Sequence, residues 1–136
     1  MTERSLVLIK PDAVARGLTG AILDRYLAKG FGVLALEQRV ATEADADAHY
    51  AEHVAKDWYP GLRTFITSGP LVALVLEGDR VVESVRALNG ATDGIVAAPG
   101  TIRGDWSASK QQNLVHGSDS VDSAVREIGV WFPGLA

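Results

Sequence analysis

The run LVALVLEG at 71–78 is the most apolar stretch of the chain, and Gly78 and Asp79 end it. Its length and β-branched valines predict a buried strand. SLVLIK (5–10) is a second run of this kind, punctuated by Pro11 and Asp12, and GVLALEQRV (32–40) a third. Helical spacing separates them. Ile22, Leu23, Tyr26 and Leu27 recur between Thr19 and Lys29, and Gly30 supplies a stop. Thr42 is a candidate N-cap for TEADADAHYAEHV, LRTFITS (62–68) suits a further helical turn or two, and Val81, Val82, Val85 and Leu88 recur within 80–90.

NLVHG (113–117) reads as a short last strand. Ser118 or Ser120 then caps a final helix, whose predicted core face is Val121, Ala124, Val125 and Ile128. The segment before that strand, 91–112, is rich in Gly, Ala, Ser and Thr and without periodicity. Loops of that length inside a domain are usually functional or disordered. The kernel βαββαβ predicts an α+β fold (an α/β sandwich) of the ferredoxin-like kind. It has a four-stranded antiparallel sheet with helices on one face, additional helices, and a long loop before the last strand. No repeat or linker divides the 136 residues, so one domain over 1–136 is expected.

Composition narrows the function classes. Without cysteine, thiolate metal sites, disulfides and thiol catalysis are excluded. A net charge of -4 argues against a dedicated nucleic-acid binder. Every apolar run is too short for a membrane span, and the N-terminus has no signal-peptide pattern, so a cytoplasmic protein is expected.

His116, in NLVHGSDS (113–120), is either a packed imidazole or a reactive group. The glycine beside it permits close approach, and the helix start at Ser118–Ser120 favours an anion. A neutral imidazole there is suited to form a covalent phosphoryl intermediate. Glu127 flanks the core face of the last helix, where it either reaches His116 and fixes its tautomer or is a solvated surface glutamate. In PGTIRGD (99–105), Arg103 offers bidentate phosphate binding or pairs with Asp105. Lys10 either presents its ammonium to a site or snorkels. HYAEHVAKDWYPG (49–61) clusters Tyr50, His53, Trp58 and Tyr59, which pack together or offer a stacking face, and Tyr50 could donate to a substrate or to His116. His49 and His53 are spaced i, i+4 without an HExxH pattern, so no zinc site is expected, and P-loop and GxGxxG motifs are absent.

Over essentially the whole chain, LVLIKPD (6–12), HYAEH (49–53), SGPLVALVLEG (68–78), PGTIRGD (99–105), NLVHGSDS (113–120) and REIGVWF (126–132) resemble a nucleoside diphosphate kinase of the short bacterial type. The resemblance implies a ping-pong phosphotransferase of broad nucleotide specificity. It would move the γ-phosphate of a nucleoside triphosphate to a nucleoside diphosphate through a phosphohistidine on His116. Glu127 and Ser118 match residues that orient the histidine, and Lys10, Arg86, Thr92 and Arg103 match phosphate-holding positions. Asn113, with Lys10, matches the ribose contact, and Tyr50 a tyrosine near the histidine. Trp58 stands where a base-stacking phenylalanine is usual. Mg2+ is implied, held mainly by the nucleotide phosphates and not by protein ligands.

The family also implies a homo-oligomer built from dimers, with a hexamer favoured over a tetramer or dimer. Gly94 replaces a proline usual in the long loop and is expected to loosen it. The competing classes are a binding-only relative and a nucleic-acid module. The first is disfavoured because His116, Glu127, Arg103 and Asn113 occur together, and the second by net acidity.

Overall fold

The structure, a computed structural model, describes residues 2–135. Strands β1 (Thr2–Ile9), β2 (Gly32–Val40), β3 (Pro70–Asp79) and β4 (Val115–Gly117) form one antiparallel sheet in the order β2-β3-β1-β4. This is the four-stranded ferredoxin-like sheet expected of the kernel. Lys10 lies just past the end of β1, at the N-cap of a short helix α1 (Pro11–Ala15). Pro11 therefore starts a helix at the position that tolerates a missing N–H, as well as ending a strand.

Helices cover both faces of the sheet, not the single face expected. Along β1, Val7 and Ile9 pack on one side and Leu6 and Leu8 on the other. Helices α2 (Thr19–Ala28) and α5 (Val81–Asn89) close the first side with Ile22, Tyr26, Val81 and Val85. Helices α3 (Glu43–His49), α4 (Tyr59–Ile66) and α7 (Val121–Trp131) close the second with Ala46, Ile66, Ile128 and Trp131. The reason lies in the strands. A run apolar at every position has no face that water can cover, so it needs a layer on each side. The helices outside the βαββαβ kernel supply the second layer.

Two helix starts follow from local chemistry. Thr42 and Asp45 make a reciprocal capping box at α3. Ser120, not Ser118, caps α7 by accepting from the Ser123 N–H. The buried face of α7 is also rotated from the expected one. Val121 and Val125 are 47% and 64% exposed, whereas Ala124, Glu127, Ile128 and Trp131 are buried. An apolar-only reading skips Glu127, and with it the true stripe at i, i+3, i+4 and i+7.

The long loop before β4 contains a one-turn helix, α6 (Ile102–Trp106), capped by Thr101. Gly94, expected to loosen this loop, is packed tightly within it. It is buried, and a Cβ built there would overlap the carbonyl of Ser107, so glycine is what lets the two loop segments touch.

Candidate active site

The edge of the sheet where β1 ends and β4 begins opens into a cleft of about 1400 Å³. Lys10, Tyr50, Trp58, Arg86 and Thr92 line it together with Arg103, Asn113, His116 and Glu127. Ser118 alone of the expected residues stands behind the lining, fully buried.

Pairing of β1 with β4 sets the histidine. Leu8 lies opposite His116 in the antiparallel register, so the imidazole is fixed to the central strand. Gly117 follows it because a Cβ there would press on Val85 and Asn89 of α5. Just upstream, Leu114 adopts φ 75°, a conformation rare for a side-chain-bearing residue. Its N–H donates to Asp12 and its carbonyl accepts from the Lys10 N–H. These two bonds hold the kink that separates Asn113 from β4. The Lys10 ammonium in turn donates to Asn113 Oδ1 across 2.9 Å.

His116 Nε2 lies 2.9 Å from Glu127 Oε1, and the Ser118 hydroxyl donates to that same oxygen across 2.7 Å. Ser118 Oγ also accepts from the Leu6 N–H of β1 at 3.0 Å. A carboxylate oxygen accepts only, so the proton of the neutral imidazole sits on Nε2. Nδ1 is left with the free lone pair. Glu127 is therefore a buried tautomer-setting partner, and the solvated alternative is excluded.

Cations are arranged around this pair. Burial, then the Arg103 guanidinium, pull the Lys10 ammonium down to about 8, while Asp12 opposes the shift. Arg103 is not paired with Asp105, which instead meets Arg25 at 2.7 Å. Three of its N–H groups donate to the carbonyls of Gly90, Asn113 and Val115, at 2.9, 3.1 and 2.6 Å. Arginine carries five donors, so two remain for a ligand. Arg103 thus staples the long loop to β4 and still offers charge to the cleft. Arg86 is exposed on α5.

Trp58 is half exposed at the rim, 5.2 Å from the His53 ring, with the Lys56 ammonium 5.3 Å from its ring centre. Tyr50 does not bond His116. The His49 ring stands between them, 4.6 Å from Tyr50 and 4.5 Å from His116. The Tyr50 hydroxyl is buried without a hydrogen-bond partner among the described residues.

His49 is the site residue that sequence reasoning missed. Its spacing to His53 drew attention to a shared metal, whereas its contacts are with His116 and with Trp131 of α7. A ring nitrogen of His49, one of His116 and a Glu127 oxygen lie within 4.8 Å of one another. That donor set is nitrogen-rich and already engaged in hydrogen bonds, which does not fit Mg2+, a cation that takes oxygen ligands and keeps its waters. A cleft lined by Lys10, Arg86 and Arg103 fits a magnesium ion that arrives on nucleotide phosphates.

Comparison with known proteins agrees with this geometry. Residues 3–135 match the family model described as nucleoside diphosphate kinase. A nucleoside diphosphate kinase from Nocardioides sp. is 70% identical over 135 residues, covering 99% of this chain and 100% of the relative. One from Rhodococcus erythropolis is 62% identical, covering 100% and 99%. Among solved structures, the Aquifex aeolicus nucleoside diphosphate kinase superposes with a TM-score of 0.95 at 40% identity, covering 99% of this chain and 98% of that one. The Halobacterium salinarum enzyme in complex with CDP gives a TM-score of 0.94 at 46% identity, covering 97% and 88%.

Proposed function

The chain belongs to the nucleoside diphosphate kinase family, and from that premise we propose that His116 is the nucleophile of a ping-pong phosphoryl transfer. The observation that carries the reading is the bond from His116 Nε2 to the buried Glu127. In the first half-reaction the Nδ1 lone pair attacks the γ-phosphorus. The bond to the β,γ-bridging oxygen breaks, and the nucleoside diphosphate leaves with that electron pair. The ring gains positive character as the P–N bond forms, and Glu127 stabilises it through the Nε2 proton. In the second half, a terminal oxygen of the acceptor diphosphate attacks the same phosphorus, and the P–N bond breaks to restore His116.

Lys10, Arg86, Thr92 and Arg103 hold the phosphates in this reading, and Tyr50, packed against His49, supports the histidine side of the cleft. Asn113 and Lys10 take the ribose hydroxyls. Trp58 supplies a stacking face, which tolerates any base where edge-directed hydrogen bonds would select one. Phosphoryl transfer is mostly positioning and charge neutralisation, so these are suitable tools. The family uses a divalent metal. Mg2+ would supply positive charge against the leaving diphosphate, with Lys10, Arg86 and Arg103 holding the phosphates that bring it.

The family is oligomeric, and we propose a hexamer built from dimers. Strand β2 supports the dimer step, because it is an open sheet edge that exposes Val33, Leu34, Leu36 and Val40. Light scattering tests the assembly. We read residues 1–136 as one domain and place it in the cytoplasm, and no described helix is long and apolar enough to cross a membrane.

The nucleophile is tested by incubating the protein with γ-labelled ATP in the absence of acceptor. The label should be acid-labile and alkali-stable, and His116→Ala should abolish it. Equal labelling of parent and variant would overturn the assignment.

A further inference from the structure

A hydrogen bond to one ring nitrogen fixes a point of an imidazole and not its plane. The terminal torsion of histidine is broad, so the His116 ring can pivot about its bond to Glu127 and swing Nδ1 off the line of attack. A second contact is needed to stop that pivot, and His49 supplies it. Its ring centre lies 4.5 Å from that of His116, and the two planes meet at 81°. His49 is 2% exposed, so this contact is packed almost wholly inside the protein even though His49 helps to line the cleft.

His49 is itself held on several sides. The Trp131 indole donates to its Nδ1 across 3.0 Å. The Tyr50 ring packs edge-on at 4.6 Å, and the Arg126 guanidinium donates to its backbone carbonyl across 3.0 Å. An indole nitrogen is a donor only, so Nδ1 of His49 must accept and its proton must sit on Nε2. The same bond disfavours the imidazolium, which would set two donors against each other. Burial, then His116, Arg126 and Lys10, also push its proton affinity well below the ordinary histidine value. Those groups come from β4, α7 and the end of β1, and the Glu127 carboxylate faces them with an oxygen within 4.8 Å of a His49 ring nitrogen.

We propose that His49 is a positioning residue for phosphoryl transfer, locked by Trp131 in its Nε2–H tautomer and packed edge-on to fix the plane of the His116 ring. The inference rests on the reading of His116 as nucleophile and adds to it a third support beside Glu127 and Ser118.

Two variants of the full chain separate plane-fixing from packing stability. His49→Phe keeps a ring against His116 but leaves the Trp131 N–H without an acceptor. His49→Asn keeps an acceptor for Trp131 but removes the ring. If the ring is what matters, single-turnover labelling by γ-labelled ATP stays within about threefold of the parent in His49→Phe and falls roughly tenfold or more in His49→Asn, while nucleotide KM changes little. Thermal stability should rank the two the other way, since the phenylalanine buries an unpaired donor. A parent-like labelling rate in His49→Asn, or rates that follow stability, overturns the proposal. Nitrogen-15 histidine spectra of the parent give a readout that needs no variant. They should show His49 as a single neutral Nε2–H tautomer from about pH 6.5, the ordinary midpoint of a histidine, up to about pH 8. A proton on Nδ1, or a charged His49 in that range, overturns it even if both variants fail to fold. Should the parent take no label at all, the nucleophile assignment fails, and the tautomer of His49 is still decided by the spectra.

Discussion

Lys10 and Asn113, 103 positions apart in sequence, meet through a 2.9 Å hydrogen bond at the floor of the cleft. The bond joins the residue after the first strand to the residue before the kink that leads to His116. The lysine is nearly inaccessible and its proton is held weakly, down at about 8. A lysine so depressed carries its charge below that pH and loses it as pH rises. Nucleotide KM should therefore be flat between about pH 6.5 and 7.5 and climb above about 8. In Lys10→Met, KM should be higher throughout and the climb absent. Steady-state KM measured across that range, with parent and variant side by side, checks both points.

In the proposed mechanism Glu127, 2.9 Å from His116 Nε2, carries the charge that balances the imidazole during transfer. Glu127→Gln keeps the shape and an oxygen that can accept, but removes that charge. The labelling rate should fall about a hundredfold with nucleotide affinity nearly unchanged. Rapid-quench labelling at saturating ATP reads the rate directly, and a parent-like rate would mean that the carboxylate acts only as a spacer.

Ser118 acts one step further back. Its hydroxyl donates to Glu127 and accepts from the Leu6 N–H, entirely out of solvent. Ser118→Ala leaves that N–H without its side-chain acceptor and the carboxylate short of a donor. A stability loss of about 1–3 kcal/mol is expected in urea titrations, alongside a slower labelling step.

Much of this site is legible from residue order, and the part that is not has a physical reason. NLVHGSDS and the short run ending at Lys10 mark the site because glycine, histidine and helix-start residues sit in one stretch. The partnership of His116 with Glu127 was one of two readings, since spacing says only that a glutamate flanks a helix face. Burial of that face decides between them. By helical spacing His49 pairs with His53 at i, i+4. Its real partners, His116 and Trp131, come from β4 and α7, which only the sheet order brings beside α3. The two-sided packing of the sheet was present in the unbroken apolar runs of β1 and β3, but the βαββαβ kernel alone accounts for one layer of helices.

Trp58 is expected to carry base binding without base choice. Trp58→Ala should raise nucleotide KM by an amount equivalent to about 1–3 kcal/mol, and to a similar extent for purine and pyrimidine substrates. Comparing ATP, GTP and CTP in the same labelling assay tests the evenness of the loss. A loss confined to one base would mean that the rim makes edge-specific contacts, with Lys56, its ammonium 5.3 Å from the indole centre, a candidate donor.

Gly94 gives a prediction of opposite sign to that drawn from the residue alone. A glycine in place of proline ordinarily loosens a loop, so Gly94→Pro would be expected to stabilise. Here the backbone of Gly94 approaches Ser107 so closely that a Cβ would overlap the Ser107 carbonyl. Either loop segment must move to admit the ring, and the loop that moves is the one Arg103 staples to β4 through Gly90, Asn113 and Val115. Gly94→Pro and Gly94→Ala should both lower the thermal midpoint, by an amount equivalent to about 1–3 kcal/mol. Because the disturbed segment lies next to Thr92, nucleotide KM should rise in both as well. A raised midpoint in Gly94→Pro would show that the two segments can separate at little cost and that chain stiffness governs this loop.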